Sequence, residues 1–167
     1  MRLDVVHLTA SHNVLPFECG EAVLDRHLKE SARKQAEDCT AITYVAVDSA
    51  EPATVRGFYS LQASELNLGT KPPGVKKLKG QSMPIVIVNY FGVHEALHRQ
   101  RIGETMLLDL YRRVQTVSEI VGCHAVYLEA ISDEIVAFYA RYSMKPYGQG
   151  GRKLWIPVST IRSYNLI

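Results

Sequence analysis

The chain has 167 residues, with 19 Lys+Arg against 17 Asp+Glu for a formal net charge of +2, and it is 47% hydrophobic and 22% charged. That is one domain's length at a globular average, which excludes intrinsic disorder and collagen-like structure. No apolar run reaches the roughly 20 residues that cross a bilayer, and His7, Ser11, His12 and Asn13 interrupt the apolar stretch a signal peptide would need, so a cytoplasmic protein without a membrane partner is expected.

Cys19, Cys39 and Cys123 are too few and too scattered for a disulfide framework, and their odd number agrees with a reducing compartment. The six histidines form no HExxH and no Cys/His cluster at zinc spacing. No metal is expected.

From Glu21 to Asp38, Leu24, Leu28, Ala32 and Ala36 recur every fourth residue and predict an amphipathic helix. Arg26, Lys29 and Arg33 are spaced to stand in one row on its opposite side. They are either a solvated face or a cationic binding surface. Ala41 to Val47 and Val55 to Ala63 are rich in β-branched and aromatic residues around a turn at Asp48 to Pro52, which predicts an antiparallel hairpin. Gly69 to Gly80 combines Pro72 and Pro73 with Lys71, Lys76, Lys77 and Lys79 and reads as a loop. No acidic residue falls between Glu65 and Glu95, so those lysines could join the cationic row against phosphates.

The apolar run Pro84 to Val93 predicts a strand buried on both faces. A polar turn separates it from a long helix striped by Ile102, Met106, Leu110 and Val114, with Gly122 at its end. Ala125 to Ala130 predicts another strand. Ser132 then N-caps a helix with Asp133 and Glu134 in its first turn and Ile135, Phe138, Tyr139 and Tyr142 along one side. Lys153 to Pro157 closes a mixed sheet with helices on its faces.

The informative segment is Val93-His-Glu-Ala-Leu-His-Arg-Gln-Arg-Ile-Gly-Glu-Thr105, where a strand gives way through a polar turn to a helix. The first N–H groups of a helix have no intrahelical partner, so such a turn can hold a pyrophosphate. The stretch Phe91 to Leu107 resembles motif A of the GNAT superfamily of acetyl-CoA-dependent N-acetyltransferases, whose turn reads Gln/Arg-x-x-Gly-x-Gly/Ala. Gly103 falls on the second glycine and Gln100 on a polar position, while His98 replaces the leading residue and Arg101 the first glycine. Arginine enters a positive-φ loop less readily than glycine, although its planar fork suits phosphate oxygens.

Phe17-Glu-Cys-Gly-Glu21, the Leu24/Leu28 helix, Arg33-Lys-Gln35, Ile87 to Val93, Ala137-Phe-Tyr139 and Lys153 to Pro157, in this order and spacing, resemble the GNAT toxins of bacterial toxin–antitoxin pairs over nearly the whole chain. Tyr90 stands where many of those toxins carry Arg. The resemblance implies one α/β domain, residues 1–167, with the GNAT fold: a mixed central sheet splayed at the cofactor cleft, with helices on both faces. It implies acetyl transfer from acetyl-CoA to the α-amino group of aminoacyl-tRNA, blocking translation. A cognate antitoxin is the implied protein partner, and a homodimer is compatible with it.

On that basis acetyl-CoA falls to Phe91, Gly92, Val93, His98, Arg99, Gln100, Arg101, Ile102, Gly103, Glu104, Thr105 and Ser132. Tyr139 maps onto the family's catalytic tyrosine, a proton donor to the departing thiolate. The Val93 N–H faces the oxygen that gains negative charge, and Arg26, Lys29, Arg33, Lys76, Lys77 and Lys79 face RNA. Glu129 would serve as a base if the acceptor were a lysine. Two other readings stay open from the sequence: a GNAT enzyme acetylating a small amine or a protein N-terminus, and a non-catalytic binding module whose cofactor turn Arg101 has spoiled.

Overall fold

Alternation and four-residue stripes resolve into seven strands and five short or long α-helices in the computed structural model, which describes residues 2–67 and 82–166. The strands are β1 (Leu3–His7), β2 (Ile42–Asp48), β3 (Glu51–Asn67), β4 (Ser82–Val93), β5 (Ala125–Glu129), β6 (Lys145–Pro146) and β7 (Lys153–Pro157). Hydrogen bonding orders them β1-β2-β3-β4-β5-β7-β6. β1 and β2 pair antiparallel from Leu3↔Asp48 to His7↔Tyr44, and β2 and β3 from Ile42↔Leu61, with a bulge at Val47. β4 and β5 run parallel from Ile85↔Ala125 to Val88↔Leu128, and β7 returns antiparallel against β5. The mixed sheet is therefore present as expected.

Two compact units divide the chain. The first takes the described residues of Met1–Gln62 and Asn89–Leu110. Its helical segment comprises α1 (Ala22–Arg26), a π-helical turn (His27–Ser31) and α2 (Ala32–Glu37). Leu28 and Ala32 of the predicted stripe are buried, and the wider π turn also buries His27 next to Leu28. The core gathers Val14, Phe17, Cys19, Leu28, Val45, Val47, Val55 and Phe58. Gly57 lets the start of α3 (Ile102–Ile120) lie close to the strands, because a Cβ there would fall 2.5 Å from the Met106 sulfur. The Tyr59 hydroxyl donates to the Asp109 carboxylate at 2.6 Å, tying the same strand to the same helix.

The second unit takes the described residues of Ala63–Val88 and Tyr111–Ile167. It carries α4 (Asp133–Ala140) and α5 (Val158–Arg162), around a cluster of Met83, Ile85, Ala125, Tyr147 and Trp155. The Tyr111 hydroxyl donates to the Tyr142 carbonyl at 2.9 Å, holding the turn that follows α4.

Four expectations need correction. β1, β6 and α5 were not anticipated, and β3 runs on to Asn67. β4 is buried on both sides only around Ile85 and Val86 and alternates elsewhere, as befits a strand with one half-open face. Tyr142 lies beyond the last residue of α4 rather than on its side. The cations of the first helical segment do not form one free row, because Arg33 turns back onto the loop after β1.

Candidate functional site

The polar turn before α3 is built mainly from backbone. The His94 N–H donates to the Arg56 carbonyl at 2.9 Å, so the alternation of a strand's backbone groups turns the Val93 N–H and C=O away from β3. The His98 ring nitrogen Nε2 donates to the Val93 carbonyl at 2.8 Å, closing the turn on the strand's last residue. His94 accepts from the Ala96 N–H and starts a single 3-10 turn at Glu95–Leu97.

Arg99 and Arg101 both sit at positive φ, 63° and 62°. Arg101 thus takes the left-handed conformation that the GNAT pattern assigns to glycine, although this costs an L side chain about 1–2 kcal/mol. α3 opens at Ile102, and Thr105 is the first residue to return an N–H, to the Arg101 carbonyl at 3.1 Å. The N–H groups of Ile102, Gly103 and Glu104 come before the first intrahelical bond and sit at the positive end of the dipole. This suits a pyrophosphate. The Arg101 side chain is 87% exposed, with only a 4.0 Å approach to Glu104, so its guanidinium is available to a ligand.

Several side chains of this stretch are taken up by packing or by bracing the turn. Ile102 is buried in the core, Gly92 packs against Cys19 and Phe58, and the Phe91 ring stacks on Tyr59. The Gln100 amide donates to the Ala96 carbonyl and the Thr105 hydroxyl to the Arg101 carbonyl, so both brace the turn.

Strain at Arg101 gives an expected result. Arg101→Gly should raise stability by roughly 0.5–1 kcal/mol, the relief of left-handed strain less the extra freedom of an unfolded glycine, and leave acetyl-CoA affinity within about threefold. Arg101→Glu keeps the strain and sets a carboxylate against the pyrophosphate, so affinity should fall about tenfold or more. Thermal melts and calorimetry with acetyl-CoA read both. Equal losses of affinity in the two variants would mean the guanidinium, not the backbone shape, holds the ligand.

In the second unit, Ser132 caps α4 as expected, its hydroxyl accepting from the Ile135 N–H at 3.3 Å, which commits that oxygen to the helix. Arg152 reinforces the same corner by donating to the Ile131 carbonyl and the Asp133 carboxylate. Two turns on, Tyr139 is only 4% exposed, and burial pushes its phenol pKa well up. A raised pKa keeps the proton on the oxygen. At neutral pH the group is therefore present as the neutral phenol and not as a phenolate base. Glu129 is exposed at the end of β5, opposite Lys153.

Of the cationic residues, Arg26 is exposed and Lys29 half-buried, while Arg33 donates to the Thr9 and His12 carbonyls. Lys71, Lys76, Lys77 and Lys79 lie outside the described residues. Sequence reasoning missed His27, which is buried, stacked on Tyr90 at 3.5 Å between ring centres and bonded through Nε2 to the Ser60 hydroxyl at 3.1 Å. Ser60 meets Thr43 at 2.6 Å. A histidine inside a surface-helix pattern carries no signal of this.

No family model matches the chain. The probable toxin TacT of Sinorhizobium fredii (strain NBRC 101917 / NGR234) is 22% identical over 161 residues, 91% of this chain and 88% of the relative. A tRNA-acetylating toxin of Mycobacterium tuberculosis (strain ATCC 25618 / H37Rv) is 22% identical over 138 residues, 83% of this chain and 81% of the relative. Among solved structures, a Tyr-to-Phe mutant of KacT superposes with a TM-score of 0.91 at 24% identity, covering 98% of this chain and 99% of that one. AtaT complexed with acetyl-methionyl-tRNAfMet superposes with a TM-score of 0.89 at 23% identity, with the same coverage. A mutant AtaT toxin bound to the C-terminus of the antitoxin AtaR and acetyl-CoA gives 0.82 at 22%, covering 98% of both chains. Over almost its whole length, then, the chain has the GNAT fold in the form shared by the KacT and AtaT toxins.

Proposed function

We propose that the chain is an acetyl-CoA-dependent N-acetyltransferase that acetylates the α-amino group of aminoacyl-tRNA, and so acts as a toxin that blocks translation in the cytoplasm until a cognate antitoxin restrains it. Residues 1–167 work as one acetyltransferase domain. The observation that carries this reading is the left-handed Arg101 ahead of α3, since a fold keeps a strained backbone where a ligand needs that shape. Relatives that acetylate tRNA or bind acetyl-CoA and an antitoxin support the substrate, the donor and the partner.

The chemistry asks little of the protein. An α-amino group has an ordinary pKa near 7.7–8.0 and is partly neutral at pH 7, whereas a lysine amine near 10.4 would need a base to free it. The amine nitrogen attacks the thioester carbonyl, and the Val93 N–H stabilises the oxygen as it gains charge. As the carbon–sulfur bond breaks, Tyr139 gives its proton to the thiolate. The proton released by the new amide nitrogen restores the phenol through solvent. The N–H groups of Ile102 to Glu104, presented by the left-handed backbone at Arg101, hold the pyrophosphate, while Arg26 and Lys29 face RNA.

Purified protein, labelled acetyl-CoA and a charged tRNA pool test this directly. Label is expected in N-acetylaminoacyl-tRNA and absent from uncharged tRNA. Acetyl-CoA binding without transfer to any charged tRNA would direct the activity to another amine; no binding at millimolar acetyl-CoA would leave a binding module.

A further inference from the structure

The loop after β1 and one side of the first helical segment enclose an open cavity of about 410 Å³, lined by Ala10 to Leu15 together with Lys29 and Arg33. Its wall is one-sided in charge. Two cations line it and no carboxylate does. Arg33 uses Nε and Nη2 on the Thr9 and His12 carbonyls, which fixes the loop and leaves Nη1 without a hydrogen bond among the described residues. Lys29 has neither an ion pair nor a hydrogen bond among them. The Asn13 side-chain oxygen accepts from the Leu15 N–H, so its amide group is left as a donor. The His12 Nδ1 is occupied by the Thr9 N–H and hydroxyl, and that ring is buried.

A wall of cationic and amide donors with no internal anion takes a phosphate in preference to a neutral or cationic group. Leu15 is 76% exposed at the same rim, an apolar surface for whatever the phosphate carries. The volume is at the lower end for small-molecule sites, enough for one nucleotide unit rather than a folded partner. We propose that this cavity is an RNA subsite, in which Lys29, Arg33 Nη1 and the Asn13 amide hold one backbone phosphate of the tRNA while Leu15 covers the adjoining sugar or base. The subsite rests on the reading of aminoacyl-tRNA as substrate and names one point, between the loop after β1 and the first helical segment, where that substrate is gripped.

Lys29→Gln keeps the stem and removes the charge without touching the loop anchor. Binding of charged tRNA, measured over a range of salt, should weaken about tenfold at low salt for the loss of one charge-assisted contact. The slope of log affinity against log salt should shrink by about 0.7–0.9, the share of one phosphate. Lys29→Glu should weaken it further, and thermal stability and acetyl-CoA affinity should stay as in the wild type. Unchanged affinity and slope in both variants, with the wild type still binding tRNA, would overturn the subsite and leave the proposed function standing. If binding falls in parallel with the melting temperature, the cavity is merely structural and the subsite is likewise overturned. A wild-type protein that binds no tRNA at all sinks the function itself.

Discussion

Replacing Tyr139 by Phe is expected to slow acetyl transfer on the order of 10²-fold or more, the ordinary share of a positioned acid in a proton-limited step, while acetyl-CoA affinity stays put. The swap keeps the ring that packs beside Phe138 in the last turn of α4. Stability should therefore move by only about 0.5–1.5 kcal/mol, the net worth of a hydrogen bond. Burial raises the phenol's pKa and so keeps it protonated through the working range. The pH–rate profile of the wild type should show no falling limb from this group below about pH 10. The donor is not too weak for its task, because the burial that disfavours a phenolate also disfavours a thiolate and raises its demand for the proton. In cells, Tyr139→Phe should relieve the arrest caused by expressing the protein alone. Tyr142→Phe is the matched control: that residue lies past the helix end, and its carbonyl, not its hydroxyl, receives Tyr111. Full activity in both variants would mean the thiolate takes its proton from water.

α3 was legible in the sequence from its period, whereas Tyr139 was singled out only by the resemblance of its Phe-Tyr pair to the family's motif. Ile102, Met106, Leu110 and Val114 are all buried, because a helix docked along its length must repeat its apolar residues at its own period. Ser132 could be read as a cap since its chemistry is local. β1 could not be read. Leu3–His7 is an edge strand with no fully buried residue; Leu3 and Val5 are half-buried and Asp4 and Val6 exposed, but the adjacent valines Val5 and Val6 hide that alternation in the sequence, and its register against β2 is a long-range fact. The five residues of α5 are too few to show a period. At the turn before α3, the family pattern marked position 101 as glycine-like, but nothing in an arginine announces that Arg99 shares its left-handed backbone. Arg33 shows the limit of charge patterning: spacing put it in line with Arg26 and Lys29, while its three bonds to the Thr9 and His12 carbonyls depend on a loop some twenty positions away.

His27 sets the second large expectation, an acid-labile first unit. It is 4% exposed between Tyr90 and Phe58, with the Ser60 hydroxyl on Nε2, and burial lowers its pKa to about 4 from the ordinary 6.5. Between those two values the unfolded chain binds a proton that the folded chain refuses. Stability contributed at neutral pH is therefore lost as pH falls from about 6.5 to about 4, at up to roughly 1.4 kcal/mol per unit. Carboxylates begin to titrate near the lower end, so the group is isolated by difference. His27→Gln retains a hydrogen-bonding side chain for Ser60 and cannot take up a proton at these pH values. Denaturant melts at pH 7 and pH 5 should show the wild type losing about 2 kcal/mol more than the variant over that interval. An equal loss in both would mean that water reaches the ring and His27 titrates normally. The same measurement bears on β4, since Tyr90 lies three residues before Val93 and stacks flat on this ring at 8°. Protonation that expels the imidazole removes the surface against which that part of the strand is held, so acetyl-CoA affinity should decline over the same pH interval in the wild type and not in the variant.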